Sequence, residues 1–199
     1  MTHPHKTTAV RKKQIINATR KLIIKHGSEH ITVREIARAV GISEGAIYRH
    51  FESKKDILSL LTDHIGDNLV GDINRASTDG HSPLEVLDDM LRSHLSAIEK
   101  RRGTSFQVIA EIISLGDKKL NKKMSEIISK YIGCLGALLS RGVESGEVRQ
   151  DINVEAAATL LFGMIQGLVN LWTLNNRSFE LEEKYEPLWL TFREAVTKH

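Results

Sequence analysis

The chain has 199 residues, of which 41% are hydrophobic, and this content suffices for a packed core and excludes a disordered chain. The formal net charge is +3, but residues 1–55 hold 12 Lys/Arg against 4 Asp/Glu, a net of +8, while residues 56–199 hold 16 against 21, a net of −5. The first quarter of the chain alone is therefore suited to a polyanion such as a nucleic acid.

Apolar residues recur at helical spacing along almost the whole chain, without the alternating β-branched runs that mark strands, and this pattern predicts an all-α fold. A first helix is expected from about Ala9 to His26 and is stopped by Gly27; its expected core residues are Ile15, Ile16, Ala18, Leu22 and Ile23. Two short helices and a longer one are expected before Gly80. The next helix start is signalled by Ser82 as cap, Pro83 at the first helical position and Glu85 as the partner in a capping box, and this helix should run to about Lys100. Further helices are expected at about 104–115, 118–144, 153–175 and 181–197.

The segment TVREIARAV has the pattern of a short amphipathic helix. Thr32 and Glu35 are spaced as a capping box, and Gly41 supplies the left-handed backbone that stops such a helix. Ser43 is then placed to cap a second helix over about Glu44 to His50. Helix, tight glycine turn and helix is the helix-turn-helix arrangement of DNA-binding proteins.

The second helix of this motif has a polar face that points away from the core. A rotation of about 100° per residue places Ile47 and Phe51 on one face and Gly45 and Arg49 opposite, with Glu44 and Tyr48 beside them. Gly45 has no side chain, which allows the helix to approach DNA closely. Arg49 can contact a guanine edge or a phosphate.

The following helix begins with two adjacent lysines. Ser53 is placed as its cap and Asp56 as the partner in a capping box, so that Lys54 and Lys55 fall in the first turn. Positive charges in the first turn of a helix interact unfavourably with the positive end of the helix dipole. A docked phosphate would meet amide hydrogens and two ammonium groups together, and this placement therefore predicts a phosphate contact.

These residues resemble the TetR family of bacterial transcriptional regulators. The matching pattern lies between about Ile15 and Leu58 and comprises Ala18, Gly27, Thr32-Val33, Ile36-Ala37, Gly41-Ile42-Ser43, Gly45, Ile47-Tyr48, His50-Phe51, Lys54 and Leu58. Ile23 stands where the family often has phenylalanine, which is a core exchange. The resemblance implies DNA contacts at Thr32, Ser43, Gly45, Tyr48, His50 and Lys54. To these, geometry adds Arg34, Glu44, Arg49 and Lys55.

The resemblance also implies an architecture for the rest of the chain. We expect a helix-turn-helix DNA-binding domain over residues 1–55 and a larger helical domain for effector binding and dimerisation over residues 56–199. The last two helices would form a four-helix bundle in a homodimer, and the middle helices would enclose a small-molecule effector. The implied partner is a palindromic double-stranded operator, and repression is the default. The helix from about Lys54 to Asn74 is expected to join the effector pocket to the DNA-binding unit.

The C-terminal helices independently indicate extensive burial. The segment NVEAAATLLFGMIQGLVNLWTLNN is apolar around most of its circumference, and Gly163 and Gly167 allow close helix approach. The segment LEEKYEPLWLTFREAV adds a large apolar surface that is not expected to remain exposed to solvent. It comprises Leu188, Trp189, Phe192 and Val196. Burial against a second copy explains both segments, and burial inside one protomer is the alternative.

Candidate ligand residues are polar or amphipathic groups on the predicted middle and last helices. One of them facing an apolar cavity would orient an effector, although each alone is more often a structural residue. The candidates are His64, Asp67, His94, Gln107, Glu111, Asn170 and Trp172.

Enzymatic function is not indicated. The sequence has no glycine-rich phosphate loop, nucleophile elbow or His-Glu-x-x-His segment, and the single cysteine, Cys134, has no adjacent base. We therefore predict no cofactor and no metal site, the weak metal candidates being His26 with His30 and His3 with His5.

The expected location is the cytoplasm. Cys134 lies in an apolar run and is expected to be a buried, inert thiol in a reducing compartment. The N-terminal segment lacks the apolar core of a signal peptide, and the longest apolar run, residues 156–168, is too short to span a bilayer.

Two other functions share part of these features. A nonspecific DNA-packaging protein would have the same basic head but would bind random and promoter DNA about equally. A helical scaffold for another protein would use the apolar C-terminal helices, and it would be a monomer that dimerises only with its partner.

Overall fold

The computed structural model describes residues 8–26, 31–49, 51–74 and 81–197. These residues form the helices α1 (Thr8–His26), α2 (Val33–Val40), α3 (Glu44–Tyr48), α4 (Lys54–Asn74), α5 (Pro83–Lys100), α6 (Thr104–Leu115), α7 (Lys118–Ser145), α8 (Val154–Leu174) and α9 (Leu181–Val196). Within these ranges the only β-type pairing is an isolated antiparallel bridge between Val148 and Thr197. The predicted all-α fold is confirmed.

Helix α3 is shorter than predicted. It ends at Tyr48, and Arg49 closes it with a backbone that is still helical, at φ −69° and ψ −17°. Phe51 is buried like Ile47, and its amide donates to the Ile47 carbonyl at 2.9 Å, so one helical hydrogen bond still spans the stretch beyond Tyr48. His50, the predicted stop at Gly27, and Gly80 lie outside the described residues.

By packing, the chain divides into two compact units. The first unit comprises Met1–Ile65 and Thr104–Met124, and the second comprises Gly66–Gly103 and Ser125–His199. The first unit thus contains α6 and the start of α7 as well as the helix-turn-helix region. The predicted domain boundary between residues 55 and 56 concerns function rather than packing, and it stays a prediction.

The core of the first unit is built from the apolar faces of its helices. Ile15 and Ile23 of α1 are buried as predicted, and Thr19 and Thr62 are buried with their hydroxyls donating to carbonyl oxygens four residues earlier, each at 2.8 Å. The internal hydrogen bonds make this polar burial tolerable. Three other predicted core residues of α1 are only half-buried: Ile16, Ala18 and Leu22.

In the second unit, a capping box starts α5 as predicted. The Ser82 hydroxyl accepts from the Glu85 amide at 3.3 Å, and the Glu85 carboxylate accepts from the Ser82 amide at 2.8 Å. The amide hydrogen bond lowers the pKa of Glu85. The Glu147 carboxylate accepts from the Leu84 amide at 3.1 Å, so the start of α5 is also held by a distant residue.

Helix α9 buries its aromatic face inside the same protomer. Tyr185, Trp189 and Phe192 form successive ring pairs with centroids 6.2 and 5.8 Å apart, and each of these residues is almost fully buried. The Tyr185 hydroxyl donates to Asp88 at 2.9 Å, and burial raises the pKa of this tyrosine. For α9, burial within one protomer therefore accounts for most of the predicted apolar surface, whereas Leu188 is exposed.

Helix α8 is longer than the apolar run of residues 156–168, which is predicted to be too short to span a bilayer. It has 21 residues, and by length and composition alone it could cross a membrane, which residues 156–168 could not. It is the only such helix in the described part of the chain, and the core helix of a soluble protein has the same properties. Cys134 on α7 is half-buried rather than fully buried as expected.

Candidate nucleic-acid interface

Helix α2 is held at its start by the predicted capping box. The Thr32 hydroxyl accepts from the Glu35 amide at 3.2 Å, and the Glu35 carboxylate accepts from the Thr32 amide at 3.0 Å. The amide hydrogen bond lowers the pKa of Glu35, so the carboxylate is charged at neutral pH. This reciprocal cap fixes Thr32 at the surface beside the start of the helix.

The turn between α2 and α3 also follows the sequence prediction. Gly41 has φ +73° and ψ 39°, and the amide of Ile42 donates to the Ala37 carbonyl at 3.0 Å. The Ser43 hydroxyl accepts from the Ala46 amide at 3.2 Å and caps α3. Only glycine takes this left-handed backbone without strain, so the angle between the two helices depends on Gly41.

Helix α3 presents the predicted polar face to solvent. Ile47 is fully buried, whereas Glu44, Gly45 and Arg49 are exposed and Tyr48 is 51% exposed. A methyl group added at Gly45 would meet no atom of the chain within 4 Å. The backbone of α3 is therefore open to a large partner on this side.

The predicted contact residues at the starts of α2 and α3 interact with each other. Arg34 Nε lies 3.8 Å from Glu44 Oε1, and the Arg34 side chain is 73% exposed. An exposed ion pair of this kind contributes little to stability, so the guanidinium can move to another anion. His50, the remaining predicted contact on this motif, lies outside the described residues.

The start of α4 differs from its sequence interpretation. The Asp56 carboxylate accepts from the Glu52 and Ser53 amides at 2.7 and 3.0 Å, but the two lysines are not isolated cations. Their carboxylate partners, which sequence reasoning missed, offset the unfavourable placement near the helix dipole. The observed pairs are Lys54 with Glu111 at 2.6 Å and Lys55 with Asp117 at 2.7 Å.

The candidate ligand residues are divided between the two units. In the first unit, His64 Nε2 lies 3.3 Å from Arg20 Nη1, Gln107 is half-buried, and Glu111 bonds to Lys54. In the second unit, Asp67 and Asn170 are exposed, whereas two candidates are buried: His94 and Trp172.

Sequence reasoning missed an aromatic cluster around His94. The His94 ring lies 5.3 Å from that of Tyr131, which is buried and lies 6.3 Å from Phe162. These three residues come from α5, α7 and α8, so only the tertiary structure shows the cluster. Trp172 lies nearer the end of α8 and packs against Gly103. A methyl group added at Gly103 would lie 3.3 Å from the ring atom Cζ3 of Trp172.

The outer face of α8 is apolar and exposed. Leu160, Leu171 and Leu174 are 62%, 57% and 79% exposed, and methyl groups added at Gly163 or Gly167 would meet nothing within 4 Å. No group of three or more metal-ligating side chains occurs among the described residues, and of the weak metal candidates only His26 is among them.

Two family models match successive parts of the chain. Residues 15–61 match the family model of bacterial regulatory proteins of the tetR family, and residues 62–192 match the model of the YsiA-like protein C-terminal region.

Several individual proteins are similar to this chain over most of their length. The fatty acid metabolism regulator protein of Bacillus subtilis is 28% identical over 172 residues, covering 84% of this chain and 86% of its own. The HTH-type transcriptional repressor BepR of Brucella suis is 26% identical over 182 residues, covering 85% and 84%. The solved structure of the regulator FadR from Bacillus subtilis in complex with stearoyl-CoA has a TM-score of 0.70 and 26% identity, covering 94% and 97%.

Proposed function

Because the chain belongs to the TetR family of DNA-binding transcriptional regulators, we propose that it is a cytoplasmic repressor that leaves a palindromic operator when a small-molecule effector binds. The observation that carries this proposal is the exposed face of α3, held by three local devices: the α2 capping box, the left-handed Gly41 and the Ser43 cap. The relatives named as regulators and repressor support it.

Each predicted contact residue has a defined role in the proposal. Arg49 reads a base edge or binds a phosphate, and Gly45 allows the helix to enter the major groove. The other predicted contacts bind backbone phosphates or orient those that do: Thr32, Arg34, Ser43, Glu44, Tyr48, His50, Lys54 and Lys55.

A second copy of the chain is the proposed cover of the outer face of α8. The three exposed leucines and two glycines on this face form an apolar stripe that a facing helix can approach closely. A dimer built in this way carries two copies of α3, which would bind successive major grooves about 34 Å apart on a palindrome.

The proposed effector is a fatty-acyl coenzyme A. The support is the name of a fatty acid metabolism regulator among the relatives and the stearoyl-CoA in the complex of a structure 26% identical to this chain. In this chain, the cluster of buried His94 and Tyr131 with half-buried Phe162 offers aromatic and polar groups together within the second unit. Helix α4, which has residues in both units, is the proposed connection to the DNA-binding motif.

Replacing Arg49 tests this proposal directly. Sites are first selected from random duplexes with the wild-type protein, and binding of Arg49→Ala is then compared on the selected and a scrambled duplex. Loss of a base-reading arginine should cost about 1–3 kcal/mol on the selected duplex and much less on the scrambled one.

Arg141→Ala is the matched control, since Arg141 is exposed on α7 and lies in the second unit. It removes the same charge and should change binding to both duplexes only slightly. An equal loss for Arg49→Ala on both duplexes would contradict base reading by Arg49 and would assign this residue to a phosphate. Equal binding of the wild type to both duplexes would favour a nonspecific DNA-packaging protein.

A further inference from the structure

Three lysine–carboxylate pairs connect α4 to α6 and α7 within the first unit. Lys54 Nζ lies 2.6 Å from Glu111 on α6, and Lys55 Nζ lies 2.7 Å from Asp117 in the turn between α6 and α7. The third pair joins Asp63 of α4 to Lys123 of α7 at 2.7 Å. Asp63 follows Lys55 by eight residues, or about 12 Å along the helix axis, so the third pair lies away from the start of α4.

The first two pairs involve the same ammonium groups that are proposed to bind DNA phosphates. Both lysines lie in the first turn of α4, where a backbone phosphate would also meet the positive end of the helix dipole. A phosphate that approaches Lys54 also approaches the Glu111 carboxylate, and the two anions repel each other. The Glu111 side chain is only 11% exposed, so it cannot move into solvent as readily as the lysine can.

We propose that Glu111 and Asp117 compete with DNA phosphates for Lys54 and Lys55, so that α6 and the turn after it lower the affinity of the motif for DNA. This inference rests on the proposed function as a DNA-binding regulator. It makes the two carboxylates positioning residues, because they act through the lysines and not by touching DNA.

The packing of α4 does not depend on these two pairs alone. Lys123 donates to the carbonyl and hydroxyl oxygens of Ser59 at 3.1 and 2.8 Å, in addition to its pair with Asp63. Exposed ion pairs generally contribute little to folding stability, and Lys55 is 55% exposed. The larger effect of the Lys55–Asp117 pair is therefore on which anion Lys55 binds. A movement of α6 would change that competition directly.

The test measures DNA affinity by fluorescence anisotropy for the wild type, Glu111→Gln, Asp117→Asn and the double variant. The probes are the selected duplex and a mixed-sequence duplex, each over a salt series. Asp117→Asn should bind both duplexes about threefold to fivefold more tightly at low salt, the range expected when one exposed ion pair no longer competes. Glu111→Gln should tighten binding by at least as much, because the Glu111 carboxylate is only 11% exposed and its charge is screened less by salt. The slope of log K against log salt should steepen by up to about 0.9 for each lysine that gains a phosphate.

Asp63→Asn is the matched control. It removes the same charge from the same unit and breaks a lysine–carboxylate pair, but it touches neither Lys54 nor Lys55. Its affinity should stay within about twofold of the wild type, since distant exposed charges are screened by salt. Asparagine is used at position 117 because its side-chain oxygen can still accept from the Lys119 and Leu120 amides, as Asp117 does.

A double-mutant cycle separates this role from a structural one. In a Lys54→Ala background, Glu111→Gln should no longer tighten DNA binding, because the lysine through which it acts is absent. The inference is overturned if Glu111→Gln and Asp117→Asn bind no tighter than Asp63→Asn, or if Glu111→Gln keeps its full effect without Lys54. If the wild type binds neither duplex, the proposed function itself fails and this inference falls with it.

Discussion

Gly41 and Gly45 are four residues apart and have opposite physical roles. Gly41 has φ +73° in the turn between α2 and α3, where a side chain is strained whatever space is available. Gly45 lies inside α3 with a helical backbone and open space around its Cβ position. One glycine therefore serves the fold, and the other is proposed to serve the approach to DNA.

Alanine at each position should separate these roles. Gly41→Ala should lower the free energy of unfolding by about 1–2 kcal/mol, the cost of a left-handed residue with a Cβ. Gly45→Ala should leave it unchanged or raise it by up to about 1 kcal/mol, because alanine is the better helix former. Urea unfolding followed by circular dichroism measures both, and anisotropy on the selected duplex should show weaker binding for Gly45→Ala.

The two variants control for each other, since both add one methyl group to the same motif. A Gly45→Ala protein that binds the selected duplex as tightly as the wild type would contradict close approach of DNA at this face. A Gly41→Ala protein as stable as the wild type would contradict the strain assigned to the turn.

At this scale, local spacing predicted the caps but not the ion pairs. The capping boxes of Thr32 with Glu35 and of Ser82 with Glu85 involve residues three apart, so sequence alone contains both partners. Lys54 and Glu111 are 57 residues apart, and no local pattern relates them. The position of the two lysines in the first turn of α4 could therefore be predicted from the sequence, whereas their pairing with Glu111 and Asp117 could not.

At the scale of elements, α8 has two apolar faces with different surroundings. The inner face is buried in the protomer, for example at Leu161 and Ile165, while the outer face exposes Leu171 and Leu174. Helical periodicity predicted the helix, because apolar residues surround most of it. It could not show which face the protomer itself covers, since that depends on how α5 and α9 pack.

Charges on the outer face of α8 should prevent dimerisation. The double variant Leu171→Glu, Leu174→Glu places two carboxylates where the second copy is proposed to pack, and burying unpaired charges is strongly unfavourable. Size-exclusion chromatography with light scattering should give a dimer for the wild type and a monomer of 22.3 kDa for the variant.

Ile113→Glu is the control for this change. Ile113 is 68% exposed on α6 and lies outside α8 and α9, so its replacement should leave the dimer intact. A wild-type monomer would contradict the proposed dimer and would favour the helical scaffold that dimerises only with a partner. Dimers formed equally by all three proteins would place the interface elsewhere.

At the scale of the whole molecule, charge and packing divide the chain differently. The net positive charge lies in residues 1–55, whereas the first compact unit also includes Thr104–Met124. Helical periodicity was enough to predict the fold class and nearly all helix bounds. The return of α6 to the helix-turn-helix region could not be predicted, because it depends on buried residues such as Val108 and Ile112 finding partners far away in sequence.

The central claim is that this regulator recognises one DNA sequence and releases it when its effector binds. The most direct measurement is an equilibrium titration of the wild type with the selected duplex and its scrambled form, without and with stearoyl-CoA, at several salt concentrations. We expect a preference of at least about 10³ for the selected duplex, which should be lost with stearoyl-CoA but not with coenzyme A alone. Equal binding to both duplexes at every salt concentration would contradict sequence-specific regulation, and a preference unchanged by stearoyl-CoA would contradict the proposed effector.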